Sequence, residues 1–179
     1  MTVFSLHRGK ISVLAKGVRR ITSRRAGNVE LLNRSILYLH QGKGMPILTE
    51  AQTLQSYQKI KEDLTLSTYA YHLLELVDTL TAENQENKSL YHDLVEVLER
   101  LSKNPRQIFI RAFEAKILSK MGFVSFQGVA AQLETLPWQE IEKMILDQKE
   151  ALELERVLRY HVERVIEGPL KSRQFLKKL

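Results

Sequence analysis

The feature that most constrains this chain is a change of hydrophobic period near residue 58. Before it, apolar residues alternate. In Lys10–Lys16, Ile11, Val13 and Ala15 fall on one face, with Ser12 and Lys16 on the other. In Glu30–His40, Leu31, Leu37 and Leu39 lie on one side, with Ile36 and Tyr38 opposite. In Ile47–Tyr57, Ile47, Thr49, Ala51 and Thr53 share a face, and Gly42-Lys43-Gly44 is a turn signal ahead of it. A period of two predicts strands, and glycine between such runs predicts hairpins. Three or four short strands suit a small antiparallel barrel, which removes most exposed edges.

Beyond residue 58 the steps become threes and fours, the stripe of an amphipathic helix. One stripe runs through Leu66, Ala70, Leu73, Val77 and Leu80, and a second through Leu90, Leu94, Val97 and Leu101. Asn104-Pro105 is a helix-start signal for a third, with Phe109, Ile110, Phe113, Ile117 and Met121, and Gly122 is its stop. Pro137 opens a fourth helix carrying Ile141 and Ile145; Leu154, Leu158, Val162 and Val165 form a fifth, ended by Gly168-Pro169. Thr81–Lys88 and Phe123–Leu136 read as the loosest stretches. Strands followed by helices, without alternation, predict an α+β chain in two parts, 1–58 and 59–179.

Charge follows the same division. Residues 1–60 hold ten Lys/Arg against two acids, 61–167 hold thirteen against nineteen, and 168–179 hold four with no acid. A basic head and tail flank an acidic middle. Concentrated cations attract polyanions, because each neutralised phosphate releases condensed counterions; a solvated basic face is the plain alternative. At 44% hydrophobic and 27% charged, the 179 residues have ordinary globular composition.

Several chemistries are excluded or unsupported. There is no cysteine, so disulfides, thiol nucleophiles and cysteine-ligated metals are ruled out. The histidines at 7, 40, 72, 92 and 161 form no HExxH pattern. His161 and Glu163 read as a solvated pair, and His72, among Tyr71, Leu73 and Leu74, as packed or at a rim. QGKGMP is not a P-loop, and no GxSxG elbow is present. The expectation is a protein that is not an enzyme and has no cofactor, no metal and no catalytic residue. Met1–Leu6 followed by His7, Arg8 and Lys10 does not read as a signal peptide, and no apolar run approaches a membrane span. A cytoplasmic location is expected, with no membrane partner.

The informative stretch is Lys16–Arg25, KGVRRITSRR, which places Lys16, Arg19, Arg20, Arg24 and Arg25 within ten residues directly after a strand. A cationic loop on a barrel can follow a sugar–phosphate backbone with little sequence preference. Arg34 and Lys43 are weaker candidates on the same part of the chain. Tyr38 and Tyr57 are either base-stacking or core residues. Lys171, Arg173, Lys177 and Lys178 make a second basic cluster. That cluster is either a DNA or acidic-tail site, or a set of cations favoured at the end of the preceding helix.

An ordered set of segments gives a resemblance. Gly9–Arg20 with Ser23-Arg24, Leu37–Tyr57, Lys59–Leu80, Arg111–Phe123 and Leu158–Leu176 resemble successive parts of the RecO family of bacterial DNA repair proteins, with Gly168-Pro169-Leu170-Lys171-Ser172 the most distinctive. The resemblance implies an N-terminal OB-fold and a helical C-terminal domain. It implies a recombination mediator that binds single- and double-stranded DNA and anneals complementary strands. It also implies engagement of the acidic C-terminal tail of the single-strand-binding protein and, with RecR, help in loading RecA, in the cytoplasm and at the nucleoid during repair. Two departures stand out. The part matching Val3–Leu6 is preceded in the family by another strand, so the OB-fold is expected to lack its first. A four-cysteine zinc module that many members carry after the position of Gly122-Phe123 has no counterpart here. A nucleic-acid-binding OB protein without mediator activity, or an adaptor acting through its helical half, are the other readings.

Overall fold

A computed structural model of the chain describes residues 1–18, 20, 22–167, 170 and 172. The α+β class holds. Strands β1 (Thr2–Ser5) and β2 (Gly9–Ser12) form one antiparallel hairpin, with Val3 opposite Ile11. Strands β3 (Arg34–His40) and β4 (Ile47–Gln55) form another, with Leu37 opposite Ala51. Leu14 joins the two: its N–H donates to the Pro46 carbonyl at 2.8 Å, and its carbonyl accepts from the Leu48 N–H at 3.0 Å. The hairpins enclose a small core of Ile11, Val13, Leu48 and Ala51, flanked by Val3, Ala15, Val29, Leu37 and Leu39. They remain two two-stranded antiparallel sheets, joined among the described residues by a parallel bridge between Leu14 and Ile47, so the expected barrel is not closed.

Two strand expectations need correction. Strict alternation through Ile47–Thr53 put Thr49 on one face with Ala51, yet Leu48 and Ala51 are buried and Thr49 is exposed. Between Tyr38–Glu50 and Leu39–Leu48 the register shifts, leaving Thr49 as the extra residue of a bulge, and a bulge resets which face points inward. Glu30–Asn33 is not strand. Gly27–Val29 is a 3-10 turn, and the Asn33 side-chain amide ties back to the Gly27 carbonyl at 2.7 Å. Leu32, at φ +68°, leaves the strand unit and inserts into the helical core.

Helices follow: α1 (Gln58–Glu62), α2 (Leu64–Leu80), α3 (Lys88–Lys103), α4 (Gln107–Lys120), α5 (Gly128–Thr135), α6 (Trp138–Lys143) and α7 (Gln148–Val165). Their starts have local causes. Asp63 accepts from the Leu66 N–H and Asn87 from the Leu90 N–H, each at 2.9 Å, and Asp147 with Glu150 completes a capping box ahead of α7. Asn104 closes α3 instead of capping α4, its N–H donating to the Arg100 carbonyl at 2.8 Å. Gly122, at φ +75°, is where the chain turns out of α4. Phe123–Leu136 is not wholly loose, since it contains α5. Ala130 and Leu133 bury the inner side of that helix.

Helix α4 is the axis of this half. It is buried all round, with Phe109, Phe113, Ile117 and Leu118 within the core, and α2, α3, α5, α6 and α7 pack on it. Two of its buried residues are charged, and both are satisfied. The Lys116 ammonium donates to the Glu134 and Leu136 carbonyls at 3.0 and 2.8 Å, which caps the end of α5; burial holds its pKa below the ordinary lysine value. Glu114 accepts from Arg111 at 3.0 Å and lies 2.7 Å from His72 Nε2. His72 also approaches the Ser172 hydroxyl at 3.3 Å, and the Ser172 N–H donates to Glu75 at 2.8 Å. With Leu170 in the helical core, these bonds fasten residues 170 and 172 to α2.

The strand unit is fixed to the helices along the α2–α3 connection. The Asn84 N–H donates to the Lys10 carbonyl at 2.7 Å, and the Ser12 hydroxyl to Glu83 at 2.8 Å. Lys10 reaches the Asp78 carbonyl at 2.5 Å, and Phe4 stacks at a tilt on Tyr91 with centroids 6.2 Å apart.

Candidate nucleic-acid interface

The loop from Lys16 to Arg25 leaves the strand unit after Ala15 and returns before Val29, both packed on the small core. Between these anchors the chain is a succession of tight turns. The Arg20 N–H donates to the Gly17 carbonyl at 3.1 Å, Ser23 to Arg20 at 2.9 Å, and Ala26 to Ser23 at 3.3 Å. Gly17 sits at φ +71°, a conformation that a side chain disfavours. Asn28 staples the returning end to β4, its side-chain oxygen accepting from the Thr53 hydroxyl at 2.9 Å.

This scaffold sorts the candidate cations. Lys16, Arg20 and Arg24 are exposed and form no ion pair among the described residues. With Gly17, Thr22, Ser23 and Arg25 they line a shallow pocket of about 360 Å³ that contains no acidic side chain. Arg25 is different. Its guanidinium donates to the Leu48 carbonyl at 2.7 Å, the Thr49 carbonyl at 3.4 Å and the Lys16 carbonyl at 3.0 Å. It braces the loop against β4. Arg19 lies outside the described residues, as do Lys171, Arg173, Lys177 and Lys178 of the second basic cluster.

Arg34 and Lys43 are not among the residues that line this pocket. Lys43 is exposed in the β3–β4 turn. Arg34 is paired with Glu99 of α3 at 3.5 Å and lies beside the buried Tyr57 hydroxyl, although no donor and acceptor there reach hydrogen-bond geometry. Burial, with Glu99 nearby, pushes the Tyr57 phenol up to about 12. At 2% exposure Tyr57 cannot stack on a base, whereas Tyr38 is 50% exposed on the outer face of β3 beside Ile36. The bracing by Arg25 and Asn28 was not visible in sequence, because their partners sit on β4, far along the chain.

Among the described residues, no group of three His, Asp or Glu is placed to hold a metal, and no helix is long and apolar enough to cross a membrane. His161 packs edge-on against Phe126 at 5.5 Å. The fold and this surface define a class: an α+β chain whose strand unit presents clustered cations, unpaired among the described residues, and is mounted on a helical body.

Comparison with known proteins gives the family. Residues 1–57 match the model described as Recombination protein O N terminal, and residues 61–124 match Recombination protein O C terminal. The chain belongs to the RecO family. It is 38% identical over 126 residues to the DNA repair protein RecO of Acetivibrio thermocellus, covering 69% of this chain and 50% of the relative. It is 32% identical over 123 residues to that of Pelotomaculum thermopropionicum, covering 69% and 48%. A match to the Desulforamulus reducens protein is 25% identical over 223 residues and takes in 100% of this chain and 87% of the relative. The chain thus spans about half the length of the first curated relatives it matches.

Proposed function

We propose that this protein acts in DNA repair and recombination by binding DNA through its strand unit and annealing complementary single strands. Residues 1–58 are the DNA-binding domain, and residues 59–179 the helical domain that carries it. The observation behind this reading is the acid-free cluster of exposed Lys16, Arg20 and Arg24 on a braced loop, in a chain of the RecO family. Arg19, Arg34 and Lys43 are proposed as further DNA contacts, and Arg25 braces the loop from β4. The binding is electrostatic, so affinity falls with salt and depends little on sequence.

In this reading the protein catalyses no bond change. It works with RecR to help load RecA onto single strands coated by the single-strand-binding protein, whose acidic C-terminal tail it engages. Lys171, Arg173, Lys177 and Lys178 are the cations proposed for that tail or for further DNA. The place of action is the cytoplasm, at the nucleoid.

Annealing of two complementary strands, each already coated with the cognate single-strand-binding protein, tests the proposal. Acceleration by the protein supports it. A folded protein that binds strands yet leaves annealing unchanged limits the function to DNA binding.

A further inference from the structure

Lys16, Arg20 and Arg24 surround a cup and do not line a track. Successive turns of the loop fold the chain back on itself, so Lys16, Arg20 and Arg24 line a single pocket of about 360 Å³ instead of spreading along a groove. The Thr22 and Ser23 side chains join the lining, and among the described residues no carboxylate enters it. The cup is also preorganised. Arg25 holds the Lys16 carbonyl at 3.0 Å and the Leu48 carbonyl at 2.7 Å, so the two ends of the loop stay together without a ligand. A concavity lined by lysine and arginine side chains and by two hydroxyls suits an oxyanion, which guanidinium groups grip with paired N–H donors.

We infer that this pocket seats a single phosphate group, and that it prefers the dianionic phosphomonoester at a strand terminus to the monoanionic diester within a strand. The inference rests on the DNA-binding reading and names which part of the strand the loop takes. A monoester carries close to two charges near neutral pH, and a diester carries one. With three unpaired cations converging on the pocket, the added charge is held by groups already in place. At an exposed site, one extra ionic contact strengthens binding by about two- to fivefold.

Two titrations test this on the full chain, both at about pH 8, where a monoester is a dianion. The first follows inorganic phosphate binding by phosphorus NMR at constant ionic strength, with Lys16→Gln and Arg24→Gln as variants. The second compares short single strands of one sequence bearing a 5′-phosphate, a 3′-phosphate or only hydroxyl ends.

Saturable phosphate binding that each variant weakens, with tighter binding of either phosphorylated strand than of the hydroxyl-ended one, is the expected result. Loss of the end preference in both variants would tie it to the pocket. Equal affinity for all three strands, with phosphate no more effective than chloride, overturns the inference while leaving strand binding intact. Absence of salt-sensitive binding to any strand overturns the DNA-binding reading as well.

Discussion

The Arg25 guanidinium donates to the Leu48 carbonyl at 2.7 Å across 23 residues of sequence. One cation of the basic run is therefore committed to shaping the loop that its neighbours present. Lys16 is held from its own carbonyl by the same side chain. Arg20→Gln and Arg24→Gln should each lower the salt slope of single-strand binding by roughly 0.7, the loss of one phosphate contact. Arg25→Gln should weaken binding while leaving the slope nearly unchanged, because contacts are disordered and not deleted. Affinities across a salt series distinguish the cases, and an Arg25→Gln slope that falls as far as that of Arg20→Gln would make Arg25 an ordinary contact.

Gly9 marks the tightest approach of the strand unit to the helices. It sits at φ +62°, and a Cβ there would come 1.8 Å from the Gln85 carbonyl oxygen. Backbone cannot yield as a side chain can. Gly9→Ala should cost about 3 kcal/mol or more in denaturant unfolding. Gly27, which has nothing within 4 Å of its virtual Cβ, is the control, and Gly27→Ala should change stability little.

The acid limb of stability should carry the signature of Glu114. Burial pushes its carboxyl upward, but Arg111 and then His72 outweigh that and hold it at about 2, against an ordinary 4.5. A depressed folded-state pKa stabilises above the unfolded value, and that stability is lost as pH falls from 4.5 toward 2. Glu114→Gln should cost about 3 kcal/mol near neutrality, since Arg111 then loses a buried partner. The variant should also show a flatter melting curve against pH in the acid range. An unchanged acid limb would place that dependence elsewhere.

Tyr57 makes the opposite prediction at the alkaline end. Its phenol is raised from 10.0 to about 12, so the folded state keeps a proton that the unfolded chain gives up. The associated stability is present below pH 10 and disappears as pH rises toward 12. The hydroxyl is buried with no hydrogen-bond partner. Tyr57→Phe should be neutral or stabilising by about 1 kcal/mol, and it should flatten the alkaline limb. Thermal melts in alkaline buffers decide it.

The change of period at residue 58 carried most of the architecture, because burial on one face writes itself into local spacing. Stripes such as Leu90, Leu94, Val97 and Leu101 became α3. What spacing did not show was anything set by distant partners. Leu48 turns inward because a bulge at Thr49 shifts the register against β3. Helix α5 is short and weakly patterned, and is held by Lys116 from another helix. In the basic run, sequence supplied the concentration of cations but not their division of labour. Arg25 has the same local surroundings as Arg24, and differs only in what lies across from it on β4.

Ser172 reaches Glu75 and His72 across 97 and 100 residues, and Leu170 fills a place in the core of the helical half. This imposes a timetable on synthesis. A ribosome making the chain releases α2 and α4 long before residues 170 and 172 have been translated. The strand hairpins close early on short-range contacts, whereas the helical body waits for Leu170 to take its place in the core. Chains stalled anywhere in α7 should lack the Ser172 contacts to His72 and Glu75 and the Leu170 side chain in the core, and would be the forms that quality-control proteases find first.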